Sequence, residues 1–188
     1  MQKNTLIVRF NELKYFTSIV SATSTSNNFN GCKNLESIYT YNITNISGNS
    51  NQAPFCDTKI VNLYLPKIKT VGQYSFANPG WVNNSSSASI GPLRIVVLGA
   101  SLTNFNGQQA ISYSNKINIF IYATTPPTCS TTLSYNGYPQ YIYVPDDSYN
   151  AYIENASYAN YKSRIKPLSE YTGEKPWEEL YPEELGLN

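Results

Sequence analysis

The chain has 188 residues, enough for one domain with a proper hydrophobic core, and its formal net charge is only +1. With 13% charged residues and no basic cluster, the composition gives no electrostatic reason to bind nucleic acid or a membrane surface. Histidine is absent, which excludes Ser-His and Cys-His nucleophile pairs and the commonest general base, and argues against most hydrolase mechanisms and zinc sites.

The N-terminal residues do not have the pattern of a secretory signal. Residues 1–10 contain neither a long apolar segment nor a cleavage site. No apolar run in the chain approaches the roughly 18 residues of a membrane-spanning helix. We therefore predict no Sec signal and no membrane span. If the protein acts outside the cell, either its signal was trimmed from this sequence or it leaves the cell by another route, such as inside a virus particle.

A short hydrophobic pattern recurs along the chain and is the main structural signal. It consists of an apolar residue, two residues of any kind and a second apolar residue, beginning at Phe16, Leu35, Ile60, Leu93 and Ile117. The third step, from Ile60 to Leu93, is the longest and contains an insertion at residues 79–92. Without about ten of those residues, the period lies in the roughly 20–29-residue range of leucine-rich repeats. The pattern predicts a stack of units, each with one short strand that buries its apolar side against neighbours.

Several segments resemble the Bacteroides surface-protein (BspA-like) leucine-rich repeats. Single repeats are matched by residues 29–38 (FNGCKNLESI), 65–76 (LPKIKTVGQYSF) and 121–128 (IYATTPPT). Residues 141–152 (YIYVPDDSYNAY) resemble the segment that closes such arrays, and residues 10–17 resemble the lead-in of arrays from gut Bacteroidetes and their phages. The resemblance covers roughly residues 10–168. The insertion and the irregular spacing depart from the family pattern.

The resemblance implies a right-handed leucine-rich-repeat solenoid. A short parallel β-sheet would form one face, irregular or short helical segments the other, and a helical cap the C-terminal end. Residues 1–168 would be the repeat domain, with a closing cap at 138–168, and residues 169–188 an acidic C-terminal tail. The family implies adhesion or partner binding at a cell surface rather than catalysis.

The residues between the apolar positions define the predicted binding face. Because side chains alternate along a strand, neighbours of the inward residues point outward. One outward row would contain Val20, Tyr39, Tyr64, Val97 and Ile121, and a second Ser18, Ser37, Asn62, Ile95 and Ile119. Exposed aliphatic patches usually mark contacts, so we predict partner binding through Tyr39, Tyr64, Val97 and Ile121, with Ile95 and Ile119 beside them. The alternative is that the C-terminal helix or tail folds over the aliphatic residues.

Three cysteines are too few for a disulfide framework. Cys32 and Cys56 occupy nearly the same repeat position, just ahead of Leu35 and Ile60. We expect both to be buried thiols, with a disulfide between them as the alternative. Cys129 is expected to fill space in the core.

Asp146 and Asp147 precede a predicted helix whose apolar residues, Tyr149, Tyr152 and Ile153, recur at helical spacing. We expect the two carboxylates to cap this helix, and the helix to close the open end of the stack. Glycosidase chemistry or calcium binding is the alternative use of such a pair.

Two tryptophans are candidate anchors. Pro176 suits the first turn of a short helix that Pro182 ends, and Trp177, Leu180 and Tyr181 would share one face of it. Such an acidic peptide suits docking into a neighbour's groove, and a surface-packed or disordered end is the alternative. Trp81 lies in the insertion and is a second anchor for sugar or protein.

These features predict a non-catalytic binding or adhesion protein that contacts a protein or glycan on a cell surface or within a virion. No cofactor or metal is expected. The alternative is a structural decoration or connector protein of a phage particle or surface assembly, buried against copies of itself or virion partners. An enzyme, such as a carboxylate-based glycosidase, is the third hypothesis.

Overall fold

The structure is a computed structural model that describes residues 3–20, 28–48, 53–77, 92–107, 109–111, 117–129, 133 and 139–187. Within these residues it contains short strands, three short α-helices and several 3-10 helices. The strands are Arg9–Phe10 (β1), Ser18–Val20 (β2), Ser37–Ile38 (β3), Asn45–Ser47 (β4), Asn62–Leu65 (β5), Thr70–Val71 (β6), Ile95–Leu98 (β7), Asn104–Phe105 (β8), Asn118–Ile121 (β9), Thr128–Cys129 (β10), Tyr141–Val144 (β11) and Ile165–Pro167 (β12).

The paired strands are parallel and belong to sheets that alternate along the chain. Sheet I has the order β12-β11-β9-β7-β5, sheet II has the order β10-β8-β6-β4-β2, and β1 pairs with β3. In sheet I, Ile95 pairs with Asn118 and Asn118 with Tyr141, so these neighbouring strands start at a constant step along the chain. Strands that return to the same sheet at a constant step are compatible with a solenoid-like α/β arrangement.

The main core lies on the inward side of both five-stranded sheets. Because side chains alternate across a strand, each strand contributes one or two inward apolar residues at matching register positions. In sheet I these are Leu63, Val96, Ile119 and Ile142, followed by Leu65, Leu98 and Ile121; in sheet II they are Ile19, Ile46 and Val71. All of them are buried in one hydrophobic cluster.

The recurring hydrophobic pattern predicts strand positions correctly, but not how the strands pair. Each copy overlaps a strand, from β2 to β9. However, β2 pairs with β4 in sheet II, so the five copies do not lie in one sheet. The opposite side carries a second parallel sheet where irregular or short helical segments were expected. Its strands are as short as Thr70–Val71, one polar and one apolar residue, which leaves too little alternation to recognise.

A helical region lies toward the C-terminal end of the chain, as predicted. Residues Asp146–Ser148 form a 3-10 helix, Tyr149–Glu154 form α1, and Ala156–Arg164 form a longer 3-10 segment. The buried Tyr152 hydroxyl donates to the Ala123 carbonyl at 2.7 Å, and the Tyr158 hydroxyl to the Pro127 carbonyl at 3.2 Å. These hydrogen bonds attach the helical region to the segment between β9 and β10.

The expected capping role of the carboxylate pair is wrong. Asp146 and Asp147 lie inside the 3-10 helix, and no side-chain hydrogen bond caps either that helix or α1. Instead, an Asp146 carboxylate oxygen accepts a hydrogen bond from the Ser169 amide at 3.0 Å. Hydrogen bonds from Ser169 lower the pKa of Asp146. Asp146 therefore fixes the start of the tail.

The three cysteines are buried free thiols, which confirms the expected packing role and rules out the alternative Cys32–Cys56 disulfide in this structure. Burial raises the pKa of Cys56 and that of Cys129 to about 12. Thiols that stay protonated are poor nucleophiles, so their contribution is apolar packing.

Candidate functional site

The outer surface of sheet I is formed by the residues that alternate with its buried ones. Strand pairing aligns Tyr64, Val97, Phe120 and Tyr143 in one outward row. It aligns Asn62, Ile95, Asn118 and Tyr141 in a second outward row. Sheet I thus carries a continuous aromatic and aliphatic surface on the side away from the main core.

The C-terminal tail packs on most of this surface and forms a second hydrophobic cluster with it. The tail contains two short helices, Pro176–Leu180 (α2) and Pro182–Leu185 (α3). Trp177 is fully buried, with its ring centroid 4.7 Å from that of Phe120 and 5.7 Å from that of Tyr64. Leu185 is buried in the same cluster, beside Val97. The tail is therefore docked on its own sheet.

Polar contacts fix the orientation of the Trp177 indole. Its Nε1–H donates to the Tyr122 hydroxyl at 2.8 Å, and that hydroxyl donates to Glu178 Oε1 at 2.6 Å. Lys175 Nζ lies 3.1 Å from the same carboxylate oxygen. Burial, followed by the hydrogen bond to Glu178, raises the pKa of Tyr122. The buried N–H and O–H groups are thus both satisfied, as a buried aromatic cluster requires.

A second attachment lies at the end of α3. The Glu184 carboxylate accepts a hydrogen bond from the Tyr41 hydroxyl and lies 4.0 Å from Lys67 Nζ. The Glu184 carbonyl accepts a hydrogen bond from the Ala100 amide at 2.8 Å. Gly186 ends the helix with φ of +70°, the left-handed conformation that glycine adopts without strain. The tail therefore contacts the rest of the chain through both of its helices.

A groove remains open at the N-terminal edge of the covered surface, between β3 and β5. Its volume is about 310 Å³. Its lining combines polar and aromatic side chains with two aliphatic ones, namely Glu36, Ser37, Tyr39, Thr40, Asn62, Tyr64 and Tyr181 with Ile38 and Val61. Among the described residues, no ladder hydrogen bond joins β3 to β5. Two hydrogen bonds hold the strands together around the groove. The Lys59 amide donates to the Leu35 carbonyl at 2.8 Å, and the Thr40 hydroxyl donates to the Tyr64 carbonyl.

Tyrosines from three parts of the chain surround this groove. Ring centroids lie 6.1 Å apart for Tyr39 and Tyr41, 5.8 Å for Tyr41 and Tyr181, and 6.4 Å for Tyr64 and Tyr181. Burial raises the pKa of Tyr64 and of Tyr181. Both phenols therefore stay neutral at physiological pH. Because Tyr181 belongs to the tail, docking of the tail builds one wall of the groove.

The structure separates the predicted site residues into different environments. Tyr39 is 40% exposed, and Tyr64 is partly buried; both line the groove. Val97 is covered by the tail, and Ile95 is partly buried at the same cluster, which agrees with the alternative that the tail folds over these residues. Trp177 is buried within its own chain, whereas Leu180, expected on the same face, is 60% exposed. Trp81 lies outside the described residues.

The outward positions predicted for Ile119 and Ile121 are wrong. Both are fully buried in the main core, because Ile119 pairs with the inward Val96 and Ile121 with the inward Leu98. The fifth copy of the hydrophobic pattern is aligned one residue out of register. A one-residue shift moves every side chain of a strand to the opposite face. The outward residue of β9 in the first row is therefore Phe120.

Sequence reasoning missed several residues of this surface. Phe120 and Tyr143 were not assigned to it, and Tyr122 and Glu184 were not recognised as tail contacts. The aromatic residues of the tail and of strands β9 and β11 were the available signal, because a sheet face so rich in large rings must be covered or bind something. The covering tail is distant from these strands in sequence, so no local pattern reveals the pairing.

The described residues contain no group of three His, Cys, Asp or Glu side chains placed to hold a metal ion. Among the helices that are described, none is long and apolar enough to cross a membrane. Comparison of the chain with protein-family models, with curated proteins and with solved structures found no match.

Proposed function

We propose that the protein is a non-catalytic binding or adhesion protein built on a BspA-like leucine-rich-repeat solenoid. Its ligand would be a protein or glycan at a cell surface or within a virion. The constant step of sheet I, from Ile95 to Asn118 to Tyr141, supports the repeat assignment, because it lies within the roughly 20–29-residue range of that class. The alternating parallel sheets support a stack of units.

One observation carries the binding proposal. The tail covers Val97 and Phe120 but leaves the adjoining groove open, with Tyr39 exposed at its rim. Tyrosine offers apolar area and a hydroxyl group at low entropic cost, which suits it to contact surfaces. We therefore assign ligand contact to the uncovered part of the surface, at Tyr39 and Tyr64.

The test is binding of the purified protein to Bacteroides cells. Tyr39→Ala should weaken binding on the order of tenfold if the ring is a contact anchor. Leu187→Ala is the control, because Leu187 is 46% exposed and does not line the groove. Equal binding by wild type and Tyr39→Ala would exclude the groove as the site.

A structural role in an assembly is the second candidate, and a different observation favours it. The N-terminal turns of the stack expose large apolar side chains, namely Leu6, Val8, Tyr15, Phe16 and Val20. Among the described residues, β1 pairs only with β3 and β2 only with β4, so both strands have a free edge. Free edges beside apolar side chains favour association with another chain.

Light scattering at increasing protein concentration tests this second function. Association through the N-terminal end predicts a mass above that of one chain, which Val20→Lys should reduce. Leu187→Lys is the control, since Leu187 is similarly exposed but lies at the other end of the chain. A monomer at high concentration would contradict the structural role.

A further inference from the structure

We propose that the groove between β3 and β5 binds a neutral saccharide unit. This inference rests on the proposed binding function and names its ligand class. The groove combines ring surfaces of Tyr39, Tyr64 and Tyr181 with the hydroxyl and amide groups of Ser37, Thr40 and Asn62.

The chemistry of these side chains matches that of a sugar ring. A pyranose presents C–H groups on its faces and hydroxyl groups around its edge. Aromatic rings pack against the C–H face, whose hydrogens carry partial positive charge that the ring face attracts. The Asn62 amide offers a hydrogen-bond donor and an acceptor, and each phenol also offers one donor and one acceptor. A sugar hydroxyl group can therefore both donate to and accept from these side chains.

The charge of the groove favours a neutral ligand. Glu36 is the only charged side chain that lines it among the described residues, and Lys59 Nζ lies 3.8 Å from its Oε1. The pair leaves no net charge at the edge of the groove. Among the described residues, no cation lines the groove to bind an anionic sugar, and a cationic peptide would compete with Lys59. A neutral saccharide has to displace neither Glu36 nor Lys59 from their ion pair.

The size of the groove favours a short ligand. Its volume of about 310 Å³ lies at the lower end of the range of small-molecule pockets, roughly 300–1,000 Å³. A groove of this size holds a mono- or disaccharide unit, which can be the end of a longer glycan, rather than a folded protein surface.

Ligand-observed saturation-transfer NMR tests the inference with defined sugars. The probes are the methyl glycosides of glucose, galactose, mannose and N-acetylglucosamine, together with cellobiose, lactose and sialyllactose, each at millimolar concentration. We expect transfer to at least one neutral sugar, and no stronger transfer to sialyllactose than to lactose. Tyr39→Ala and Asn62→Ala should each weaken the affinity on the order of tenfold.

Leu187→Ala is the control and should bind like wild type, because Leu187 is exposed and does not line the groove, and circular dichroism would verify that each variant is folded. Tyr39 and Asn62 are exposed, so neither substitution removes core packing. Transfer that is equal in wild type and Tyr39→Ala would overturn the site. Absence of transfer to every probe would overturn the assignment of a saccharide ligand.

The cell-binding assay separates failure of this inference from failure of the proposed function. If no sugar binds while Tyr39→Ala still loses binding to cells, only the saccharide inference falls, and the binding function at this groove stands. If no sugar binds and Tyr39→Ala binds cells like wild type, both the inference and the function at this groove fall.

Discussion

Trp177 is the residue on which attachment of the tail depends most. Its ring is buried between Phe120 and Tyr64, and its N–H group bonds to the Tyr122 hydroxyl. The hydroxyl is in turn bonded to Glu178, so loss of the indole also leaves a buried hydroxyl with one partner fewer. Removal of this side chain therefore affects both packing and the polar contacts.

Trp177→Ala should cost about 3–5 kcal/mol of tail attachment, because it empties a buried aromatic site. Limited proteolysis with a glutamate-specific protease would then cut the tail on the order of 100- to 1,000-fold faster, since each 1.4 kcal/mol is about tenfold in the open population. Leu180→Ala is the control, because Leu180 is exposed on the same helix. Equal cleavage rates in the two variants would contradict the docked position of Trp177.

Gly99 is a position where no side chain fits. A Cβ atom there would lie 1.7 Å from the Pro66 carbonyl oxygen and 3.1 Å from that of Glu184. Gly99→Ala should therefore lower the free energy of unfolding by about 1–3 kcal/mol or more, because backbone must move. Urea unfolding measures the loss, with Ser101→Ala, an exposed nearby substitution, as control. An unchanged urea midpoint for Gly99→Ala would show that Pro66 does not approach this closely.

Strand β9 is the element for which sequence and structure disagree most. Its sequence, Asn118-Ile119-Phe120-Ile121, is apolar at three successive positions. The sequence alone therefore does not decide which face of the strand points into the core. The choice depends on the Val96–Ile119 pairing and on a covering tail that buries Phe120 from the other side. Periodicity alone does not contain that information.

The register of β9 makes a direct prediction. Ile119→Ala should destabilise the protein by about 2–5 kcal/mol, because it leaves a cavity in the main core. Val61→Ala is the control, since Val61 is 46% exposed beside β5 and should change stability by less than about 0.5 kcal/mol. Chemical unfolding of both variants measures the difference. If Ile119→Ala lost as little stability as Val61→Ala, the result would favour an outward position for Ile119.

Several elements could be predicted because their signal is local. The apolar pattern marks β5 and β7, and the helical spacing of Tyr149 and Tyr152 marks α1. Sheet II could not be predicted, since strands as short as Thr128–Cys129 exist only through parallel pairing with strands distant in sequence. The tail could be recognised as a docking peptide from Trp177, but its docking place depends on contacts between distant parts of the chain.

At the scale of the whole molecule, buried thiols and phenols that stay protonated make the free energy of unfolding decrease at alkaline pH. Burial raises the pKa of Cys56 and Cys129 from an ordinary 9.0 to about 12, and it raises the pKa of Tyr152 and Tyr158 above that of an ordinary phenol. As pH rises above 9, the unfolded chain loses these protons before the folded chain does. Stability is therefore fully present below pH 9 and falls above it.

Urea unfolding between pH 7 and 10.5 tests this dependence. We expect little change up to pH 9, and then a loss approaching about 1.4 kcal/mol per pH unit for each buried thiol, with tyrosines adding to it above about pH 10. The double variant Cys56→Ala, Cys129→Ala should lose less stability between pH 9 and 10 than wild type. Identical slopes in the two proteins would show that the thiols are accessible.

The C-terminal tail covers the outer surface of sheet I and leaves the adjoining groove open. The part at Val97, Phe120 and Tyr143 is covered, and the part at Tyr39 is open. Each side has a consequence: the covered part contributes to stability, and the open part is where we assign ligand binding. The division itself is the central claim, because both assignments fail if the tail is not docked.

Hydroxyl-radical footprinting with mass spectrometry measures this division directly, residue by residue. Tyr15 and Tyr39 should be oxidised readily in the native protein, whereas Phe120 and Trp177 should be protected. In a variant truncated after residue 168, Phe120 should become reactive while Tyr39 remains so. Oxidation of Trp177 and Phe120 at the rate of Tyr39 in the full-length protein would contradict the account.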